Sequence, residues 1–180
     1  MTSAFYDPPT EPQDERYHGN ISAAYGFGAH VAEVEVDPGT GQVRLLNLWT
    51  AHDVGRAINP MAVEGQIEGG AAMGIGLGLT EELLIDADGK MLGANLHDYG
   101  LPTAVDCPRI TVNLVETNDP LGPYGAKGIG EGGLIPVPAA IANAIADATG
   151  ARPREFPMRP WKVLRWMQSN NSDKVEVDGR

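Results

Sequence analysis

Hydrophobic and polar positions alternate most cleanly from residue 32 to 37. Ala32, Val34 and Val36 take one side; Glu33, Glu35 and Asp37 take the other. That period of two predicts a half-solvated strand. Asp37-Pro38-Gly39-Thr40-Gly41 reads as a hairpin turn, and Val43 to Trp49 as the returning strand. From Ala51 the pattern begins like a continuing strand and ends as a loop at Asn59-Pro60, because proline pushes the residue before it out of the helical region. His52 and Asp53 are neighbours there, but adjacent strand residues point to opposite faces, so joint metal ligation is not expected. A second hairpin is predicted from Glu82–Ile85, the turn Asp86-Ala87-Asp88-Gly89 and Met91–Asn95, and a further strand over Arg109 to Glu116 on the alternation of Ile110, Val112 and Leu114.

Three helices are predicted among these strands. The first runs from Met61 to about Leu79 and holds six glycines, Gly65, Gly69, Gly70, Gly74, Gly76 and Gly78. Each costs about 0.5–1 kcal/mol relative to alanine, so the helix needs a backbone or a cofactor lying against its small residues. The second spans Ala139 to Thr149, with Pro138 in its first turn and Gly150 as its stop. The third is one or two turns over Trp161 to Met167. Residues 1–20, with Pro8, Pro9 and Pro12 among polar side chains, read as an extended arm that gains order by lying on something else, and residues 169–180 as a polar, frayed tail. The fold class is therefore α+β, mixed or antiparallel sheets with packed helices, in one domain over residues 21–168.

Composition narrows the function. A chain of 180 residues buries about 70% of its unfolded surface, enough for one core. The net charge of -11 argues against nucleic acid and against anionic membrane surfaces. No apolar run is long enough to span a bilayer, and the N-terminus lacks the pattern of a signal peptide. Cys107 is the single cysteine, which excludes an internal disulfide and a cysteine-ligated cluster. The cytoplasm is the expected location, with export alongside a signal-bearing partner left open.

Candidate chemistry gathers in Gly125-Ala126-Lys127-Gly128-Ile129-Gly130-Glu131-Gly132-Gly133. Main chain this bare is either a flexible surface turn with a solvated glutamate or a lining pressed against a ligand. The helix that follows favours the lining, holding one carboxylate, Glu131, at a fixed point. Gly128-x-Gly130-x-x-Gly133 also matches the dinucleotide fingerprint, but a loop, not a strand, precedes it, and Pro136 and Pro138 interrupt before the helix. Gln66, in the first turns of its helix, can donate and accept, which suits a polar heterocycle or a phosphate. A solvent-facing glutamine is the alternative.

Several segments in this order resemble the molybdenum hydroxylases: xanthine dehydrogenase, aldehyde oxidoreductase and the large subunit of aerobic carbon monoxide dehydrogenase. They are Val34–Gly41, Asp53-Val54-Gly55-Arg56-Ala57-Ile58-Asn59-Pro60, Glu64-Gly65-Gln66-Ile67-Glu68-Gly69-Gly70, Asp98-Tyr99-Gly100-Leu101-Pro102-Thr103, Lys127-Gly128-Ile129-Gly130-Glu131 and the alanine-rich helix. The match is to the C-terminal part of the molybdopterin-binding subunit. It implies that Glu131 is the general base for a water-derived nucleophile attacking an electrophilic carbon of an aldehyde, N-heterocycle or acyl-CoA. It also implies that Gln66 touches the pterin and that Lys127, Gly128, Ile129 and Gly130 line the cofactor through backbone N–H groups. A glycine-lined apolar pocket around Glu131 would disfavour its charged form. Molybdenum is held by the pterin dithiolene in this family, so no protein metal ligand is expected; the cytosine dinucleotide form of the cofactor is left open. Family catalytic subunits are much longer. The resemblance therefore implies a small, split subunit docking against a larger molybdopterin-binding subunit, with [2Fe–2S] clusters and FAD on further partners. The alternatives are a non-catalytic assembly module and a fragment inactive alone.

Overall fold

The computed structural model describes residues 2–178, with side chains through residue 170. Its main sheet has three strands, β1 (Gly28–Val36), β2 (Val43–Asp53) and β5 (Arg109–Val115), in the order β1-β2-β5. β1 and β2 are the antiparallel hairpin expected from the alternation, with a register shift between Glu33 and Val34. β5 runs parallel to β2, pairing Asn47 with Arg109 through Asp53 with Val115. That parallel neighbour makes the sheet mixed. β3 (Leu84–Ile85) and β4 (Met91–Leu92) form a short separate hairpin, shorter than the sequence predicts.

α1 (Pro60–Leu79) starts where Asn59, in extended conformation, caps it by accepting from the Ala62 N–H. α2 (Val137–Thr149) ends at Gly150, whose φ of 73° is the left-handed stop. Both lie on the inner face of the sheet. Leu45, Leu48, Ala71, Ile75, Val137, Ile141, Ile145, Met158 and Val163 form the core. α1 is tolerable as a helix because its glycines admit backbone. A Cβ on Gly70 would sit 3.1 Å from Gly133 C, and one on Gly74 would sit 2.6 Å from Val137 Cβ. The glycine cost is offset by bringing α1 against the segment that follows Glu131.

α3 (Pro160–Asp178) corrects the expectation of one or two turns: the helix continues through the polar residues to Asp178. Val163 is buried, Trp166 and Met167 pack on the core, and the run beyond them lacks a glycine or proline to stop it. Most of residues 2–20 have no regular structure and are exposed; the Tyr6 hydroxyl donates to Leu121 O at 2.7 Å, in the loop before the candidate segment. No helix among the described residues is long and apolar enough to cross a membrane.

Candidate functional site

The end of β2, the first turns of α1 and the glycine segment meet at one edge of the molecule. β2 delivers His52 and Asp53 to opposite sides, as the period of two requires. Asp53 turns toward the glycine segment. Its carboxylate accepts from Lys127 Nζ at 2.7 Å, from Thr117 Oγ1 at 2.7 Å and from the Gly55 N–H at 2.9 Å. The Lys127 and Asp53 side chains are only 11% and 9% exposed, so this is a shielded ion pair. Burial alone would raise the Asp53 pKa. The hydrogen bonds from Lys127, Gly55 and Thr117, with the Lys127 charge, outweigh it and hold the carboxyl below the usual carboxylate range. Lys127 Nζ also donates to Tyr25 O and lies 5.6 Å from the Phe27 ring centroid.

Lys127 therefore differs from its expected role. Its backbone N–H donates to Val54 O at 2.9 Å and its side chain is committed to Asp53, so it anchors the loop instead of offering an N–H to a ligand. The next three residues do have N–H groups to offer: Gly128, Ile129 and Gly130 donate to no acceptor within the described chain. Gly128 and Gly130 are exposed, and a Cβ on either would meet nothing within 4 Å. Neither has a positive φ. No neighbour in the chain demands glycine at either position, although the Gly130 ψ of -92° lies outside the helical and extended regions. The bareness leaves the main chain open to close approach from outside.

Glu131 opens a single 3-10 turn, Glu131–Gly133, whose last glycine packs on Ile67 of α1. The backbone below Glu131 is thus held firmly while its side chain is exposed. The apolar enclosure expected around this carboxylate is not supplied by these 180 residues. Gln66 is exposed as well, its amide making no hydrogen bond within the described chain. It shares a depression of about 240 Å³ with Arg56, Val63, Ala126, Lys127 and Ile129. On the other side of Ile129 lies a second cavity, of about 200 Å³, bordered by Gly28, His52, Gly128 and Gly132. Gln66, Ile129 and Gly128 are thus brought to adjoining hollows. The strand-to-helix setting of a dinucleotide fingerprint is missing: a 3-10 turn, Pro123–Gly125, precedes Gly128, and the turn after it spans three residues.

A model of the molybdopterin cofactor-binding domain matches residues 1–108, more than half of the chain. The chain belongs to the molybdopterin cofactor-binding domain family. It is 38% identical over 168 residues to the 6-hydroxypseudooxynicotine dehydrogenase complex subunit gamma of Paenarthrobacter nicotinovorans, covering 92% of this chain and 21% of that protein. It is 42% identical to the xanthine dehydrogenase molybdenum-binding subunit of Escherichia coli O157:H7, covering 76% of this chain and 18% of that protein. The crystal structure of the aldehyde oxidoreductase from Desulfovibrio desulfuricans ATCC 27774 superposes with a TM-score of 0.83 at 37% identity, covering 88% of this chain and 17% of that one. The family and the α+β fold are those expected from the motifs. The chain spans about a fifth of the length of the relatives it matches.

Sequence reasoning missed Asp53 as the clamp on Lys127, Thr117 as its second donor, and the pairing of His30 with His52. Both clamp partners stand in motif segments, and opposite charge was the available signal. What the sequence lacked was the β2–β5 register, which brings the loop carrying Lys127 back beside Asp53.

Proposed function

We propose that this chain forms one wall of a molybdopterin site in a molybdenum hydroxylase and supplies its general base. The observation that carries this reading is the outward-facing run Gly128-Ile129-Gly130. Its three free N–H groups and the two glycines' missing side chains stand directly before Glu131, on backbone clamped at both ends by the Lys127–Asp53 pair and by Gly133 against α1. Those N–H groups and the Gln66 amide fit a flat, polar heterocycle, and would hold its edge. Bound molybdopterin supplies the two-electron redox chemistry that no side chain of this chain can provide. Glu131 holds the proton removed from water as the nucleophile forms, and the pinned 3-10 turn keeps its carboxyl at a constant position. Residues 1–20 act as a docking arm and residues 21–168 as the cofactor-facing domain. The enclosure that dries Glu131 comes from a larger molybdopterin-binding subunit, with iron–sulfur and FAD subunits carrying electrons away in the cytoplasm. The substrate class is an aldehyde, an N-heterocycle or an acyl-CoA.

Glu131→Gln in the assembled enzyme tests the reading. Turnover falls by about 10²–10⁴-fold, the contribution of a positioned base, while molybdenum content is retained. Unchanged turnover would overturn the catalytic role and leave an assembly module with the same fold.

A further inference from the structure

The cavity beside Gly128 contains a group that the clamp and the glycine run do not use. His52 is 3% exposed, and its Nε2 lies 2.7 Å from His30 Nε2, with the two rings at 85° to each other. Its other nitrogen, Nδ1, has no hydrogen-bond partner within the described chain. A Cβ on Gly28 would sit 2.7 Å from that Nδ1 and a Cβ on Gly132 would sit 3.9 Å from it. Gly28 and Gly132 both line the cavity of about 200 Å³, so Nδ1 is the polar atom His52 presents there. A buried ring with one nitrogen satisfied within the chain and the other turned to a hollow can hydrogen-bond a group seated there.

The two tautomer assignments of the pair are not equivalent. Burial, and for His30 also the His52 charge, favour two neutral rings at neutral pH, with the His30 pKa lowered to about 4. One Nε2 must then donate to the other. If His52 donated, His30 would carry its proton on Nδ1. That atom is buried without a partner, and the result would be an orphaned N–H, the rarer kind of unsatisfied group. If His30 donates, its Nδ1 is only a bare acceptor, and the His52 proton sits on Nδ1. The second arrangement moves the one unpaired N–H from the buried His30 Nδ1 to His52 Nδ1, which borders the cavity.

We propose that His52 offers an Nδ1–H hydrogen bond to a carbonyl oxygen seated in this cavity, and that His30 is the positioning residue fixing that tautomer. A neutral carbonyl fits better than an anion, because Lys127 is already neutralised by Asp53 and Glu131 adds a negative charge nearby. Gly128 and Ile129, whose N–H groups have no acceptor within the described chain, line the same cavity. The donor does not depend on the role of Glu131. Whether the carbonyl belongs to the pterin or to the substrate rests on the reading of the glycine run as the cofactor wall.

Nitrogen-15 NMR of the full chain at neutral pH tests the tautomers directly. His52 should show a protonated Nδ1 and His30 a protonated Nε2; the reverse pattern overturns the proposal. Titration with acetamide as a carbonyl probe should move the His52 Nδ1 signal saturably, and no movement overturns it. His30→Gln, which keeps a side-chain N–H donor, should retain the His52 tautomer, whereas His30→Leu should release it. Retention in both variants would show that His30 does not set it. In the assembled enzyme, His52→Phe should lower pterin content if the carbonyl is the cofactor's. If it is the substrate's, the same change should raise KM about tenfold, the worth of one hydrogen bond, with content intact. No change in either quantity sinks the site.

Discussion

Lys127→Met removes the cation from a shielded pair and leaves Asp53 as a lone carboxylate. Losing one partner of a buried ion pair costs about 3–5 kcal/mol, chiefly because the other charge stays desolvated. Here the carboxylate keeps the Gly55 N–H at 2.9 Å and the Thr117 hydroxyl at 2.7 Å, which places the cost near the lower bound, about 3 kcal/mol. Urea unfolding followed by tryptophan fluorescence reads that loss as a lower midpoint at unchanged slope. Asp53→Asn should cost less, since the Lys127 ammonium can swing toward solvent on its flexible stem. The double variant should be more stable than the sum of the singles predicts, by at least about 1 kcal/mol of coupling. The pH dependence has a definite sign. The folded Asp53 pKa lies below its unfolded value, so its contribution is fully present above the unfolded pKa of about 3.9 and is lost as pH falls through the depressed folded value. In Lys127→Met two lowering influences vanish and burial remains, so acid unfolding should begin at a higher pH than in the parent chain. A cost below about 1 kcal/mol, or strict additivity in the cycle, would refute the clamp.

Two further results follow from packing and titration. His30 has a folded pKa of about 4 against 6.5 for the free side chain, so the unfolded chain takes up its proton first. The chain should lose up to roughly 3 kcal/mol as pH falls from about 6.5 to 4, and His30→Gln should flatten that part of the urea-midpoint profile. Gly74→Ala should destabilise by about 1–3 kcal/mol, because its Cβ would press on Val137 Cβ at 2.6 Å and Leu134 O at 2.9 Å. Gly69→Ala, which meets nothing within 4 Å, should be neutral or stabilise the chain by about 0.5–1 kcal/mol; the reverse order in thermal unfolding would refute the packing assignment.

The local elements were legible because their signals are local. Alternation gave β1 and β2, Pro60 and Asn59 marked the start of α1, and Gly150 marked the end of α2. The parallel neighbour β5 was not legible as such, since nothing in its seven residues encodes which strand it joins. α3 was cut short because polar residues after Met167 weigh against a buried helix, yet they carry no breaker and the helix continues. At the site, the glycine run and Glu131 stood out by residue type alone. The Lys127–Asp53 clamp and the His30–His52 pair depend on contacts across 74 and 22 residues, and become visible only once the sheet register is fixed. The expected apolar shelter of Glu131 is absent from the described residues, where its side chain is exposed.

The glycines themselves separate what this chain does for itself from what it does for another body. Gly70, Gly74 and Gly133 are required from within: a Cβ on any of them would run into Gly133, Val137 or Ile67. Gly65, Gly69, Gly128 and Gly130 have no such constraint, since a Cβ on each would point into open space and none has a positive φ. Two of these sit one turn apart on the exposed side of α1, bracketing Gln66, and two stand immediately before Glu131. Glycine costs helix stability at Gly65 and Gly69 and loop entropy at Gly128, with no steric return inside the chain. The cost is explained if a surface lies against them when the protein works. Those positions outline one continuous contact zone around Gln66 and Glu131, in a chain that spans a fifth of its relatives' length. Under the proposed function, the solvent-facing carboxylate of Glu131 stands at the rim of a pocket that another body completes.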